Sequence, residues 1–107
     1  MAFRVLLSED AERDIEELYR FLARRDGQEA AGRIMGELEA AATSLEELPE
    51  RGNIPKELLS VGIGEYRELH HKPWRMIYRI MGADVVVYCV ADGRRDMQSF
   101  LERRLLR

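Results

Sequence analysis

Two apolar segments near the end of the chain, joined by a short turn, constrain its fold more than any other feature. Residues 74–81 are apolar apart from two arginines, and residues 85–91 are apolar almost throughout. Residues 82–84, Gly-Ala-Asp, have the composition of a tight turn. The pattern therefore predicts two strands that run antiparallel to each other.

The first of these strands has two unlike faces, because successive side chains of a strand point to opposite sides of the sheet. One face carries Arg75, Ile77 and Arg79. The other carries four large apolar residues that can pack in a core: Trp74, Met76, Tyr78 and Ile80. The arginine face presents guanidinium groups, whose planar donors suit phosphate or carboxylate partners.

The first half of the chain predicts a short strand and then a helical hairpin. Residues 3–7 form the strand, and Ser8 is a suitable N-cap for a helix that would run to about Arg25. Gly27 ends this helix, and Pro49 ends the next one. The second helix has apolar residues at three- and four-residue steps: Ala31, Ile34, Leu38, Ala41, Leu45 and Leu48. Their short connection implies that the helices are antiparallel.

The other segments complete one α+β domain over residues 1–107. Residues 50–63 predict a loop with one short turn at Lys56–Leu59, a strand follows at about 65–71, and a last helix at about 96–106. The order is thus an N-terminal strand, an antiparallel helical hairpin, three antiparallel strands and a C-terminal helix. We expect the hairpin to pack on one face of a small, mainly antiparallel sheet.

Charge and composition exclude several classes of protein. The net charge is −3, but residues 1–50 hold 6 Lys/Arg against 13 Asp/Glu, whereas residues 51–107 hold 11 against 7. This argues against a general nucleic-acid binder and leaves local phosphate contact open in the basic half. No apolar run is long enough to span a bilayer, no signal-peptide pattern is present, and Cys89 has no partner for a disulfide. We expect a cytoplasmic protein without a membrane partner.

The sequence has no catalytic triad, Gly-rich phosphate loop or dinucleotide fingerprint. His70 and His71 are adjacent in a predicted strand, so their imidazoles should point to opposite faces and not share a metal. We therefore expect no metal and no cofactor. One histidine acting as a general base stays open, beside the simpler reading of an exposed strand end.

Five short motifs follow one another along the chain: Ala11–Ile15 (AERDI), Leu48–Gly52 (LPERG), Tyr66–Leu69 (YREL), Trp74–Ile80 (WRMIYRI) and Val90–Asp96 (VADGRRD). In this order and spacing, the chain resembles the RelE/ParE superfamily of bacterial type II toxin–antitoxin toxins, which includes plasmid stabilisation proteins. The resemblance covers essentially the whole chain. It implies a β-α-α-β-β-β-α fold and a small toxin that a flexible segment of a cognate antitoxin holds inactive.

The resemblance implies one of two activities. RelE-like members cut messenger RNA on the ribosome without a metal, and ParE-like members, which lack the full set of cleavage residues, inhibit DNA gyrase. Arg67, Arg75 and Arg95 match basic positions of the superfamily and would be catalytic only in a RelE-like enzyme. Leu69 stands at a second basic position, and the tyrosine of the last helix falls near Leu101, or at Phe100 with a one-residue shift.

These departures favour the ParE-like reading, because arginine stays protonated and is a poor acid–base group. The expected function is therefore a toxin that inhibits gyrase without being an enzyme. The alternatives are a metal-independent mRNA endoribonuclease and a partner-binding module that has lost toxicity. A homodimer and a toxin–antitoxin hetero-oligomer are both compatible with this reading.

Two groups of residues are candidates for contact. Target binding is expected from four arginines, Arg75, Arg79, Arg94 and Arg95, with the C-terminal segment Phe100–Arg107. The alternatives are that the strand arginines pair with Glu65 or Glu68, and that Asp96 merely caps the last helix. Partner binding is expected from a small-residue stripe on the second helix, Gly32, Gly36 and Ala40, opposite the core stripe.

Overall fold

Strands and helices follow one another in the predicted order, in a computed structural model that describes residues 2–106. The elements are β1 (Arg4–Leu7), α1 (Glu9–Asp26), α2 (Gln28–Thr43), α3 (Lys56–Leu59), β2 (Tyr66–His71), β3 (Trp74–Met81), β4 (Asp84–Asp92) and α4 (Met97–Leu105). A single 3₁₀ turn, Ser44–Glu46, extends α2. The α+β fold expected from the sequence is confirmed. Within residues 2–106, no helix is both long enough and apolar enough to cross a membrane.

The strands form one sheet in the order β1-β4-β3-β2. The pairs β2–β3 and β3–β4 are antiparallel, while β1 lies parallel to β4 at the edge. The sheet is therefore mainly antiparallel, as predicted. Its two edges are β1, beside the helical hairpin, and β2, which receives one further bridge between Asn53 and Glu68.

Helices cover both faces of the sheet, so the protein has two apolar clusters. The hairpin α1–α2 buries the predicted core face of β3, and Trp74, Met76 and Tyr78 belong to one apolar cluster with Leu38 and other helical residues. On the opposite face, α3 and α4 bury a second cluster: Leu58, Tyr66, Ile77, Cys89, Ala91, Met97, Phe100 and Leu101. The face expected to present guanidinium groups is therefore largely covered. Burial here raises the pKa of the Cys89 thiol to about 12.

A β-bulge lies in β4, a strand that is apolar almost throughout because helices cover both of its faces. Ile77 pairs with Cys89 but Tyr78 pairs with Val87, which leaves Tyr88 as an extra residue of β4. The bulge changes the side-chain phase, so that Val87 and Val90 both belong to the hairpin cluster while Cys89 belongs to the other. A strand that is buried on both faces needs apolar residues at consecutive positions.

Local signals set both ends of α1 and the start of α4 as predicted, but α2 ends at Thr43 and not at Pro49. The Ser8 hydroxyl accepts a hydrogen bond from the Ala11 backbone N–H at 3.1 Å, and Gly27 adopts a φ of +94° after α1. Asp96 accepts from the Ser99 backbone N–H and caps α4. The expectation that Leu48 continues the core stripe of α2 is wrong. The α-helix ends at Thr43, so Leu48 leaves the stripe and its side chain is 62% exposed.

The exposed glycines of α2 allow a simple stability prediction. A Cβ added at Gly36 would meet nothing within 4 Å, and its φ is helical. We expect Gly36→Ala to raise the free energy of unfolding by about 0.5–1 kcal/mol, because alanine loses less backbone entropy in a helix. Urea unfolding of both proteins would measure the change. Gly27→Ala is the control and should destabilise, since its φ of +94° disfavours any side chain.

Candidate functional site

A concavity of about 520 Å³ opens where β2 and β3 meet the corner that follows β4. Its exposed lining is basic, with Lys56, Lys72 and Arg94 among the residues that contribute. Its buried lining includes Arg75 and Glu68, which are 8% and 3% exposed. The concavity is therefore lined both by exposed cations and by a buried ion pair.

Arg75 is held by two carboxylates from different elements. Its Nη1 and Nη2 donate to the two carboxylate oxygens of Glu57 at 2.9 and 2.8 Å, and its Nε donates to Glu68 Oε1 at 2.6 Å. The hydrogen bond to Glu57 is the largest cause that raises the pKa of Arg75, and the same bond lowers the pKa of Glu57. Both partners are thereby fixed in their charged forms. The pairing with Glu68 is the alternative foreseen for this arginine, while Glu57 was not foreseen.

Neighbouring groups complete this ion-pair cluster of Glu57, Glu68 and Arg75. Asn53 Nδ2 donates to Glu68 Oε2 at 2.8 Å. Gly93 lies against the arginine stem, and a Cβ there would stand 2.7 Å from Arg75 Cδ. Packing therefore explains why a glycine follows β4, because any side chain at this position would collide with the buried side chain of Arg75.

The other predicted arginines have separate environments. Arg94 donates through its Nε and Nη2 to the carboxylate of Asp92, at 2.6–3.2 Å. Arg67 donates to the backbone carbonyl oxygens of Gly52 and Glu50. The guanidinium carbon of Arg79 lies 5.9 Å from the ring centre of Tyr66, and that of Arg95 lies 4.1 Å from the ring centre of Phe100. Of the four target-binding candidates, the structure brings Arg75 and Arg94 to the concavity, and Arg79 and Arg95 lie outside its lining.

The two histidines point to opposite sides of the sheet, as predicted. His70 lines the concavity, with its Nε2 at 3.3 Å from Glu68 Oε2. His71 Nε2 lies 2.7 Å from Glu37 Oε1 of α2. One imidazole is therefore part of the concavity, and the other joins the sheet to the helical hairpin.

The C-terminal helix is joined to the hairpin by an ion pair that the sequence did not reveal. Arg104 donates to both carboxylate oxygens of Asp14 at 2.9 and 3.0 Å, and this hydrogen bond is the largest cause that raises the pKa of Arg104. Asp14 Oδ2 also accepts from the Val90 backbone N–H at 3.0 Å. The segment expected to contact a target is thus anchored at Arg104. Its last residue, Arg107, lies outside the described residues.

An apolar groove of about 590 Å³ lies between α1, α2 and β1. The apolar residues that line it come from β1, α1 and α2, with one residue of β3: Val5, Leu7, Ile15, Tyr19, Met35, Leu38, Ala42 and Met76. Leu7 and Tyr19 are 40% and 37% exposed, which leaves apolar surface open to water. The groove was not evident from the sequence. The sequence held one signal for it, the consecutive leucines Leu6 and Leu7 of the predicted first strand. In the structure this strand lies at the edge of the sheet.

The predicted small-residue stripe lies beside this groove. Gly32, Gly36 and Ala40 are all exposed, and a Cβ at either glycine would meet nothing within 4 Å. Gly36 is one helical turn before Glu39, which lines the groove. The stripe and the groove are therefore neighbouring surfaces of α2.

Comparison with known proteins agrees with this architecture. The family model described as the ParE toxin of the type II toxin–antitoxin system parDE matches residues 5–97. Toxin ParE3 of Caulobacter vibrioides is 26% identical over 101 residues, which cover 94% of this chain and 97% of that protein.

Solved structures share the fold at low sequence identity. The chromosomal ParDE system of P. aeruginosa matches with a TM-score of 0.71 and 14% identity, covering 85% of this chain and 96% of that one. The RelBE2 toxin–antitoxin complex of Mycobacterium tuberculosis gives 0.63 and 21%, covering 86% and 92%. A mutant of the E. coli toxin RelE in the free state gives 0.63 and 17%, covering 98% and 100%. With the family model spanning most of its length, the chain belongs to the ParE family of type II toxin–antitoxin toxins.

Proposed function

We propose that this protein inhibits DNA gyrase in the cytoplasm and that a cognate antitoxin neutralises it. The observation that carries the choice of gyrase over messenger RNA is the engagement of Arg75. This arginine is 8% exposed and donates to two glutamates. It would have to leave both carboxylates to reach a phosphate, so it is poorly suited to a catalytic role in RNA cleavage.

The chemistry of RNA cleavage supports the same choice. Cleavage needs a proton acceptor near the 2′-hydroxyl, a donor near the leaving oxygen and cations around the phosphorane. Arg67 is engaged by backbone carbonyl groups, and the raised pKa of Arg75 keeps it protonated. Phe100 and Leu101, near the expected tyrosine position, are buried in the second cluster. The acid–base residues of a RelE-like enzyme are therefore not evident at the matching positions.

One observation favours the RelE-like alternative. His70 lines the concavity beside Lys56, Lys72 and Arg94, and histidine is the side chain best suited to proton transfer near neutral pH. In that case His70 would act as the general base, and the exposed cations would hold the phosphate. The catalytic roles that the resemblance gives to Arg67, Arg75 and Arg95 would require Arg67 and Arg75 to leave their present partners and Arg95 to reach the concavity from outside its lining.

Two assays distinguish these functions. We expect the purified toxin to inhibit plasmid supercoiling by gyrase and to leave ribosome-bound mRNA intact in toeprinting. Arg95→Ala should weaken the inhibition, because Arg95 is exposed at the corner proposed to contact gyrase. His70→Ala is the control and should inhibit as the wild type does. New mRNA ends that disappear with His70→Ala would establish the RelE-like alternative, and activity in neither assay would indicate a module without toxicity.

The groove between α1, α2 and β1 is the proposed antitoxin site. Its apolar walls and the exposed Leu7 and Tyr19 offer the hydrophobic surface that a partner segment buries. The stripe of Gly32, Gly36 and Ala40 would let the same partner approach the α2 backbone closely. This proposal predicts a toxin–antitoxin hetero-oligomer in which the hairpin and the β1 edge are covered.

A further inference from the structure

The apolar groove has an acidic rim with more carboxylates than cations among its described lining residues. Three carboxylates line it, from Glu16 of α1, Glu39 of α2 and Glu46 of the 3₁₀ turn, against the single cation Arg20 among the described lining residues. None of the three side chains has a hydrogen bond or an ion pair within residues 2–106. By contrast, other acids of the hairpin are paired, such as Asp14 with Arg104 and Asp26 with Arg25.

We infer that this rim selects an antitoxin segment whose apolar stripe is flanked by lysine or arginine. The inference rests on the proposed function, because it takes the antitoxin as the occupant of the groove. An apolar stripe fills the space between the helices, and cations on either side of it meet the carboxylates of the rim. Complementary charge of this kind sets partner choice and the association rate more than the total affinity.

The walls of the groove favour a helical segment. The lining comes mainly from side chains of two helices, α1 and α2, which suits an amphipathic helix laid into a hydrophobic groove. Met35 and Met76 supply flexible side chains that adapt to a partner's shape.

Neutralising the rim should weaken antitoxin binding. We expect the triple variant Glu16→Gln, Glu39→Gln and Glu46→Gln to bind the antitoxin encoded beside the toxin gene roughly tenfold more weakly at low salt, mainly through a slower association rate. The affinity of the wild type should fall between 50 and 300 mM NaCl, roughly as the Debye length shortens, and that of the variant should fall less. Biolayer interferometry with full-length proteins would measure both.

A matched control separates this effect from net charge. The variant Glu17→Gln, Glu29→Gln and Glu65→Gln removes three exposed carboxylates that do not line the groove, and it should bind as the wild type does. Equal binding by the rim variant, or equal weakening by the control, would overturn the inference while leaving the proposed function intact. No binding by the wild-type toxin would overturn the proposed antitoxin partner itself.

A second copy of this chain is the competing occupant of the groove, and a variant that blocks the groove tests for it. Thr43 lines the groove and is exposed, so Thr43→Trp should obstruct it and weaken antitoxin binding more than the rim variant does. Sedimentation of the toxin alone should show a monomer. A dimer that Thr43→Trp dissociates would mean that the groove holds a second copy of the chain, and would overturn the inference.

Discussion

Replacing Arg75 with methionine is expected to lower the free energy of unfolding by about 3–5 kcal/mol, a large share of the total for a domain of this size. The guanidinium compensates Glu57 and Glu68, which are 8% and 3% exposed. Without it, two carboxylates are left near each other in a site from which water is mostly excluded. Urea unfolding can be followed by the fluorescence of Trp74, the single tryptophan, which is buried beside this cluster on β3.

The pH dependence of this loss gives a second readout. The folded-state pKa of Glu57 lies below its ordinary value of 4.5, chiefly because of the hydrogen bond from Arg75. A lowered carboxylate pKa contributes stability above the unfolded value, and this stability is lost as pH falls through the folded value. Wild-type stability should therefore fall below about pH 4.5. The variant lacks this contribution, so the difference between the two proteins should narrow in acid.

Arg79→Met is the matched control, because Arg79 lies on the same strand and the same face. Its guanidinium stacks on Tyr66 and is half-buried, so its loss should cost about 1 kcal/mol or less. Equal losses for the two variants would mean that the ion-pair cluster contributes nothing specific. The comparison also bears on toxicity tests. Loss of toxicity in an Arg75 variant would follow from unfolding alone, so its folded fraction has to be measured beside its toxicity.

Much of the fold follows from local patterns. The end of α1 depends on Gly27, and its start depends on the Ser8 hydroxyl, so both could be placed from a few neighbouring residues. The strands β3 and β4 were evident from their composition. The bulge at Tyr88 was not, because an extra residue in one strand is visible only when its partner strand is known.

The candidate site was less predictable, because its contacts join segments that are distant in sequence. Glu68 was a foreseeable partner of Arg75, since β2 and β3 are neighbours. Glu57 reaches the same guanidinium from α3, whose position depends on the path of the preceding loop. One feature of the sequence did indicate that α4 would cover the face of the sheet that carries Arg75. The unbroken apolar run of β4 requires that both faces of the sheet be buried.

Replacing Gly52 with alanine is the second change with a large expected effect. A Cβ there would overlap the backbone carbonyl oxygen of Glu68 and lie 2.6 Å from the Tyr78 hydroxyl. Neither neighbour can yield easily. The Glu68 backbone is fixed in β2 and donates to the Asn53 carbonyl oxygen at 2.8 Å, and the fully buried Tyr78 hydroxyl donates to the Pro49 carbonyl oxygen at 2.6 Å.

The loop must therefore move, and it would lose one buried and one partly buried hydrogen bond in doing so. The Gly52 N–H donates to the Tyr78 hydroxyl at 3.1 Å, and the Gly52 carbonyl oxygen accepts from Arg67 at 2.8 Å. Steric strain in a packed site costs about 1–3 kcal/mol, and a buried group left without a partner costs about as much again. We expect Gly52→Ala to lower the free energy of unfolding by about 2–4 kcal/mol, measured by urea unfolding.

Gly64→Ala is the control for this prediction, because Gly64 also lies in a loop and a Cβ there would meet nothing within 4 Å. Its effect should stay within about 0.5 kcal/mol, as for most exposed substitutions. Tyr78→Phe combined with Gly52→Ala removes one of the two obstacles but leaves the Glu68 carbonyl in place. The double variant should therefore remain destabilised relative to Tyr78→Phe alone. If Gly52→Ala proved as harmless as Gly64→Ala, the loop after Pro49 could not be packed against β2 as closely as the structure places it.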